Sequence, residues 1–251
     1  MRLPHGQYAS AAFAGTRPSG KDDVVLVTSR SAAEYRAMFD LAPVDLATGS
    51  VLDCCAGGSG FAAETGGRAI AVDPAYARSR HDLGERIRAA LHIGDRIIDH
   101  HADRFDWAWY GTPRRRAELR NAAAERFLAD LGEHPERYVA GALPDLPLAS
   151  GSVDLVLCSH LLFTWAEHLD EDWHRRAIAE LVRVARREVR IYPVVVQGTG
   201  DRVEFLDDLR ADLRATGRHA HLREVPYRFQ SGANEMLVIA PADERTPVRS
   251  T

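Results

Sequence analysis

The chain has 251 residues, 36 acidic against 32 basic, a net charge of −4 and 45% hydrophobic content, a composition that excludes a disordered or fibrous chain and fits one α/β domain with an insertion. Lys21 is the only lysine, so 31 of the 32 basic residues are arginine. A GK[ST] phosphate loop, a Schiff-base lysine, a kinase strand lysine and a Tyr-x-x-x-Lys dehydrogenase pair all need lysine inside the fold and are excluded.

Residues 1–45 read as a polar N-terminal arm, loose over 1–23, followed by a short helix from about Ala32 to Phe39 that Ser31-Ala32-Ala33-Glu34 opens as a capping box. The main domain is expected over 46–240. Val51-Leu52-Asp53-Cys54 is a short apolar strand that runs into the small-residue loop Ala56-Gly57-Gly58-Ser59-Gly60, a brief helix and a second strand, Ala69-Ile70-Ala71-Val72, ending at Asp73-Pro74. Strand, small-residue turn, helix, strand and acid in that order describe a βαβ unit on a parallel sheet. Residues 74–137 hold no convincing strand and read as a helical cap insertion. Tyr138-Val139-Ala140 resumes the sheet, and Val153–Cys158 is a further buried strand behind the turn Ser150-Gly151-Ser152. Asp172–Arg187 is predicted as a helix with Trp173, Ala177, Ile178, Leu181, Val182 and Ala185 on one face, acids at its start and arginines at its end. Val189–Val196 is the next strand, Val203–Thr216 a helix stopped by Gly217, and Arg223–Phe229 with Glu235–Ala240 a closing hairpin. Residues 241–251 form a polar tail. The expectation is a doubly wound, Rossmann-like, mostly parallel seven-stranded α/β sheet with a C-terminal antiparallel hairpin.

No apolar run approaches the ~20 residues of a membrane span, and the Ala11-Ala12-Phe13-Ala14 patch is no convincing signal peptide. Three cysteines, Cys54, Cys55 and Cys158, make no disulfide framework, so reduced thiols and a cytoplasmic location are expected. Arg114-Arg115-Arg116, the one basic run, reads as a solvated helix face, and the mild acidity carries no nucleic-acid footprint. Adjacent His100 and His101 on a helix point about 100° apart and share no face. With no confirming ligand spacing there, or around His168, Asp170 and His174, no metal is expected.

In sheets of this kind ligands bind beyond the carboxyl ends of the strands. The small residues after Val51-Leu52 let a ligand approach the backbone and a helix N-terminus. Asp73, 20 residues after Asp53, ends the neighbouring strand. A carboxylate there accepts hydrogen bonds from both hydroxyls of a ribose, each worth roughly 1.5–3 kcal/mol. Taken alone, these features also describe an ordinary strand-to-helix turn.

Val51-Leu52-Asp53, Gly57, Ala71-Val72-Asp73-Pro74, Leu146-Pro147-Leu148 and Gly151-Ser152-Val153-Asp154-Leu155-Val156, together with the helix Ala177–Val184, make an ordered set that resembles the class I S-adenosylmethionine-dependent methyltransferases. The likeness runs from about Val24 to Ala240. Tyr138–Phe163, Arg187–Pro193 and Val225–Val238 look similar to a bacterial, type 11-like subgroup of unknown substrate. The resemblance implies S-adenosyl-L-methionine as cofactor: Asp53 organises the first loop, Cys55, Ala56 and Gly57 lie against its methionine part, and Asp73 takes the ribose hydroxyls. It also implies that Leu143 sits by the adenine and that Ser159 and His160 end the fourth strand near the methyl group. The chain departs from the family pattern in three places. Cys55, Gly57 and Ser59 stand where three alternating glycines are usual, Ala142 replaces the acid commonly beside the adenine amine, and Arg187-Glu188 replaces a Pro-Gly-Gly turn.

Methyl transfer from a sulfonium is a displacement in which alignment matters most, and a base is needed only for a protonated acceptor. His160 is the candidate base, with a structural histidine as the alternative. Tyr192 either lines the acceptor pocket or packs beneath it. Tyr35 either closes over the cofactor or is a core aromatic. Phe105–Tyr110 either packs the insertion or caps the substrate against water. The expected function is methylation of an O, N or S nucleophile on a small-molecule substrate, with no nucleic-acid or membrane partner. The alternatives are a non-catalytic or regulatory S-adenosylmethionine-binding module and an NAD-dependent oxidoreductase, the latter without a G-x-G-x-x-G after Val51-Leu52.

Overall fold

The computed structural model describes residues 27–241; the arm over 1–23 and the tail beyond Pro241 lie outside the described residues. Its strands are β1 (Val51–Cys54), β2 (Ala69–Val72), β3 (Tyr138–Val139), β4 (Val153–Ser159), β5 (Ala185–Tyr192), β6 (Arg218–Glu224) and β7 (Glu235–Pro241). They form one sheet in the order β3-β2-β1-β4-β5-β7-β6. The pairs among β1–β5 are parallel, and β7 lies antiparallel between β5 and β6. The chain order reverses between β1 and β4, which opens a crevice at their carboxyl ends.

Alternation along the buried strands divides the interior. Val51, Leu155 and Leu157 face a core shared with the helices α1 (Ala32–Met38), α3 (Phe61–Glu64), α4 (Arg80–His101) and α5 (Pro113–Glu133). Leu52, Cys54, Val156 and Cys158 face the opposite core with α6 (Glu171–Val184) and α7 (Leu206–Ala215). Because both faces are covered, the strands read as nearly continuous apolar runs. The short helix α2 (Pro43–Ala47) was not legible as a separate element.

Helix starts follow the expected chemistry. Ser31 and Glu34 form the capping box of α1, Asp170 accepts the Trp173 N–H at 2.7 Å at the head of α6, and Thr112 with Pro113 opens α5. Residues 74–137 hold α4 and α5, joined by the aromatic segment 105–110.

Four boundaries differ from the sequence reading. Helix α6 stops at Val184 rather than Arg187: the Ala185 N–H still bonds Leu181 O, but Ala185 already pairs with Val153 and Glu188 with Leu155 in the sheet. Strand β5 accordingly starts at Ala185 and ends at Tyr192. Strand β6 spans Arg218–Glu224, pairing from Arg218↔Pro241 to Glu224↔Glu235, so Val225–Phe229 is loop; Pro226, lacking an N–H, suits that segment poorly to a ladder. Helix α7 starts at Leu206, three residues late, with Val203 buried ahead of it.

One buried network fastens the insertion to the rest. Glu34 of α1 is wholly buried; its Oε2 accepts the Ser31 N–H at 2.7 Å, and its Oε1 lies 2.8 Å from Nε of Arg120 on α5. Tyr110 donates its hydroxyl to the same Oε1, accepts from Arg120 Nη2 at 3.2 Å, and lies 2.7 Å from the Tyr227 hydroxyl, which is left as the donor of that pair. Burial alone raises the Glu34 carboxyl, but Arg120 and the Tyr110 hydrogen bond bring it below the usual carboxylate range. Removing one partner of such a pair leaves a buried charge without compensation. Glu34→Ala is therefore expected to cost about 3–5 kcal/mol in urea unfolding. Glu34→Gln paired with Arg120→Met is expected to cost less than the sum of the two single changes, and strict additivity would contradict the network.

Candidate functional site

A cavity of about 790 Å³ opens at the carboxyl ends of the strands, within the range of roughly 300–1,000 Å³ usual for ligand pockets. The β1–α3 loop forms one wall. Cys55 and Ala56 donate their N–H groups to the Val72 carbonyl at 2.7 and 3.2 Å, and Gly57 donates to Asp73 Oδ2 at 2.9 Å. The segment ahead of α1 lies against this loop: Gly58 N–H bonds Thr28 O at 3.0 Å and Gly60 N–H bonds Arg30 O at 2.9 Å. Gly57 has φ +58°, and a Cβ there would meet Thr28 O at 2.9 Å, so both conformation and contact require glycine.

Asp73 follows β2 on the cavity wall, where Oδ1 accepts the Ala75 N–H at 2.9 Å and Oδ2 the Gly57 N–H. Burial raises its carboxyl above the usual value, and these two bonds oppose that shift. A carboxylate has about two acceptor positions per oxygen, so one on each remains for a pair of neighbouring hydroxyls. Leu143 and Ala142 give the wall an apolar stretch after β3. At the end of β4, Ser159 Oγ lies 2.8 Å from His160 Nδ1. His160 has φ +56°, an uncommon conformation for a side chain of its size; its N–H donates to Tyr192 O at 2.8 Å, and its carbonyl accepts Trp165 Nε1 at 3.2 Å. Burial, and then the charges of Arg30 and Arg120, hold its imidazole well below its usual pKa, so the ring is neutral at pH 7.

Of the residues singled out in the sequence, Cys55, Gly57, Asp73, Leu143, Ser159 and His160 share this wall. Asp53 and Ala56 do not: strand alternation turns Asp53 toward α1, where Oδ1 accepts the Tyr35 hydroxyl at 2.8 Å, and Ala56 packs in the same core. Tyr35 is itself a core aromatic, stacked on Phe61 at 4.6 Å, rather than a closing residue. Tyr192 borders the cavity while donating its hydroxyl to Ala233 O at 2.7 Å. His174 is buried away from the wall, its Nε2 accepting the Phe163 N–H at 3.0 Å while Nδ1 lies 2.8 Å from Asp170 O, a structural bond pattern. Phe105 reaches the cavity, and Trp107, Trp109 and Tyr110 pack behind it against Tyr227 and Phe229.

The arginine run is a correction. Arg114 and Arg115 are 89% and 61% exposed at their side chains, but Arg116 is only 12% exposed and lines the cavity with Arg120, four residues on. Arg30, Arg116 and Arg120 on the wall were missed, as were Tyr227 and Phe229 from the β6–β7 loop. The i, i+4 spacing of Arg116 and Arg120 behind Pro113 was the available signal.

A family model described as a methyltransferase domain matches residues 113–192, from α5 to the end of β5, and so includes Leu143, Ser159 and His160. That stretch of the chain thus matches a methyltransferase domain. Over 223 residues the chain is 26% identical to the uncharacterized protein MJ0045 of Methanocaldococcus jannaschii, covering 87% of this chain and 96% of that one. Among solved structures it is similar to the magnesium protoporphyrin IX methyltransferase of Synechocystis PCC 6803, at 12% identity, 84% of each chain and a TM-score of 0.46. It is also similar to the 1,6-didemethyltoxoflavin-N1-methyltransferase of Burkholderia thailandensis, at 17% identity, 84% of this chain, 80% of that one and a TM-score of 0.42. Among the described residues, no helix is long and apolar enough to cross a membrane.

Behind the wall, burial pushes the Asp53 carboxyl up to about 8, against hydrogen bonds from Tyr35 and Ser59, and its Oδ2 has no partner. The unfolded carboxyl titrates near ~3.9, so the folded state keeps a proton that the unfolded chain releases. Stability contributed at this position therefore falls as pH rises from about 4 to about 8. Asp53→Asn is expected to flatten the decline of Tm between about pH 5 and pH 8; equal slopes in variant and wild type would contradict this.

Proposed function

We propose that the chain transfers a methyl group from S-adenosyl-L-methionine to an O, N or S nucleophile of a small molecule held in the same cavity. The observation that carries this reading is the Asp73 carboxylate, set on the cavity wall by two backbone N–H bonds with an acceptor position open on each oxygen. That is the donor–acceptor chemistry a ribose diol needs, so the residues present fit the cofactor. When bound, the cofactor supplies an electrophilic methyl on a sulfonium.

The chain's residues supply position and proton handling. Asp73 accepts the ribose hydroxyls, Leu143 lies along the adenine, and Cys55 and Gly57 lie along the methionine part. Asp53 and Ala56 act from behind the wall by supporting the loop. Alignment of an attacking atom at about 3–3.5 Å from its target accounts for several kcal/mol of barrier lowering without any further group. The 74–137 insertion serves as the cap: α4 and Phe105 border the cavity and restrict water around the reacting centre. His160 takes the acceptor's proton when the acceptor arrives protonated. With Nδ1–H donated to Ser159 Oγ, Nε2 holds the free lone pair, and it has no protein partner among the described residues.

Calorimetric titration with S-adenosylhomocysteine, S-adenosylmethionine and NAD tests the reading. Micromolar binding of the first two is expected, weakened roughly ten-fold or more in Asp73→Ala. Binding of NAD instead, or no binding by wild type, would refute it. Because the His160 imidazole is held below its usual pKa by burial and two arginines, the base is already neutral at pH 6.5. Nitrogen chemical shifts of a ring-labelled sample should show no His160 titration between about pH 6.5 and 8, and a midpoint inside that window would remove the basis for the role.

A further inference from the structure

Six arginines (Arg30, Arg78, Arg86, Arg96, Arg116 and Arg120) and two carboxylates (Asp73 and Asp95) line the cavity among the described residues. Arg78 and Arg86 lean on Asp82 and Arg96 is exposed, leaving Arg30, Arg116 and Arg120 as the inner group. Glu34 answers Arg120, and the partly exposed Asp95 answers Arg116 at 3.4 Å. Among the described residues Arg30 has no carboxylate partner; its Nη1 donates to Thr28 Oγ1 at 3.0 Å. The Nε atoms of Arg30 and Arg116 are buried without a hydrogen-bond partner. Burial and then the Arg120 charge lower both guanidiniums, Arg116 to about 10. Gathered cations with unanswered donors form a site for a planar anion, which a guanidinium fork grips with two parallel bonds.

The surroundings are aromatic. Arg116 lies over the Phe229 ring at 5.3 Å, and Phe229 stacks on Phe105 at 4.6 Å with planes 13° apart. Both rings, with Tyr227 and Trp165, border the cavity. The arginine group also acts electrostatically on His160, so the anion site and the proposed base belong to one compartment.

Resting on the methyl-transfer reading above, we infer that the acceptor is an aromatic carboxylic acid, its carboxylate held by Arg116 and Arg120 and its ring against Phe105 and Phe229. The cofactor's own amino-acid carboxylate is the other anion that reaches this compartment. Arg30, tied through its carbonyl to the glycine loop, is placed to serve that second carboxylate, whereas Arg116 projects from the insertion.

The test is calorimetry on the full chain saturated with S-adenosylhomocysteine. The probes are para-hydroxybenzoate, phenylacetate and phenylpropanoate, each against its neutral amide, for wild type, Arg116→Gln and Arg116→Lys. At least one acid is expected to bind wild type roughly ten-fold or more tightly than its amide. Arg116→Gln should abolish that preference, Arg116→Lys should recover part of it, and S-adenosylhomocysteine affinity should stay within about two-fold in both, which also reports an intact fold. Acids that bind no better than amides, or do not bind, overturn the inference. An Arg116→Gln change that weakens S-adenosylhomocysteine as much as the acid assigns the arginines to the cofactor and overturns it too. Failure of S-adenosylhomocysteine to bind wild type, with the acid preference intact in the free protein, would instead overturn the methyltransferase function and leave the anion site standing.

Discussion

The Glu34 carboxylate is the constraint on which the cavity depends. It closes the capping box of α1, pairs with Arg120 of α5 and accepts the Tyr110 hydroxyl, and through Tyr110 it reaches Tyr227 of the β6–β7 loop. Four segments are thus tied, directly or through Tyr110, to one wholly buried anion. A buried charge tolerates this only when its lone pairs are filled and a cation stands beside it, so the four segments have one arrangement in which the site is satisfied. That arrangement brings Arg116 and Arg120 to the wall facing the strand ends.

The composition then acquires a physical meaning. Arginine keeps its charge when buried and presents a rigid fork, whereas lysine readily loses its proton when desolvated. A chain whose 32 basic residues include one lysine can line an enclosed compartment with permanent cations. The charges of Arg30 and Arg120 act on His160, which lies in the left-handed region at the end of β4, and add to burial in keeping its imidazole neutral. Binding and proton handling are coupled: an anion beside Arg120 offsets one of the charges that depress the histidine.

Much of the scaffold was legible because period and punctuation agree. Val51–Cys54, the small-residue loop, Ala69–Val72 and Asp73 are local signals, and the structure forms the mostly parallel sheet they call for. Boundaries failed where two local codes overlap. Ala185 continues the apolar helical face yet pairs with β4, as does Glu188, and Val225–Phe229 alternates like a strand because its aromatics turn into the cavity. Asp53 illustrates a further limit, since β1 has only four residues and its alternation, seen beside α1, decides which side chain reaches the wall. The arginine cluster was hidden for a different reason: Arg114, Arg115 and Arg116 are identical as letters, and only the packing of α5 on α4 separates the solvated pair from the buried one. Glu34 was read as a cap through one oxygen, and its second oxygen's long-range role has no local signature.

The measurement that bears most directly on this account is a crystal structure of the chain with S-adenosylhomocysteine bound. The account predicts both ribose hydroxyls within hydrogen-bond distance of the Asp73 carboxylate, the adenine against Leu143, and the sulfur facing His160 with Arg116 and Arg120 across the remaining space. A nucleoside seated elsewhere, or an Asp73 carboxylate still bonded to Gly57 and Ala75 alone, would contradict it.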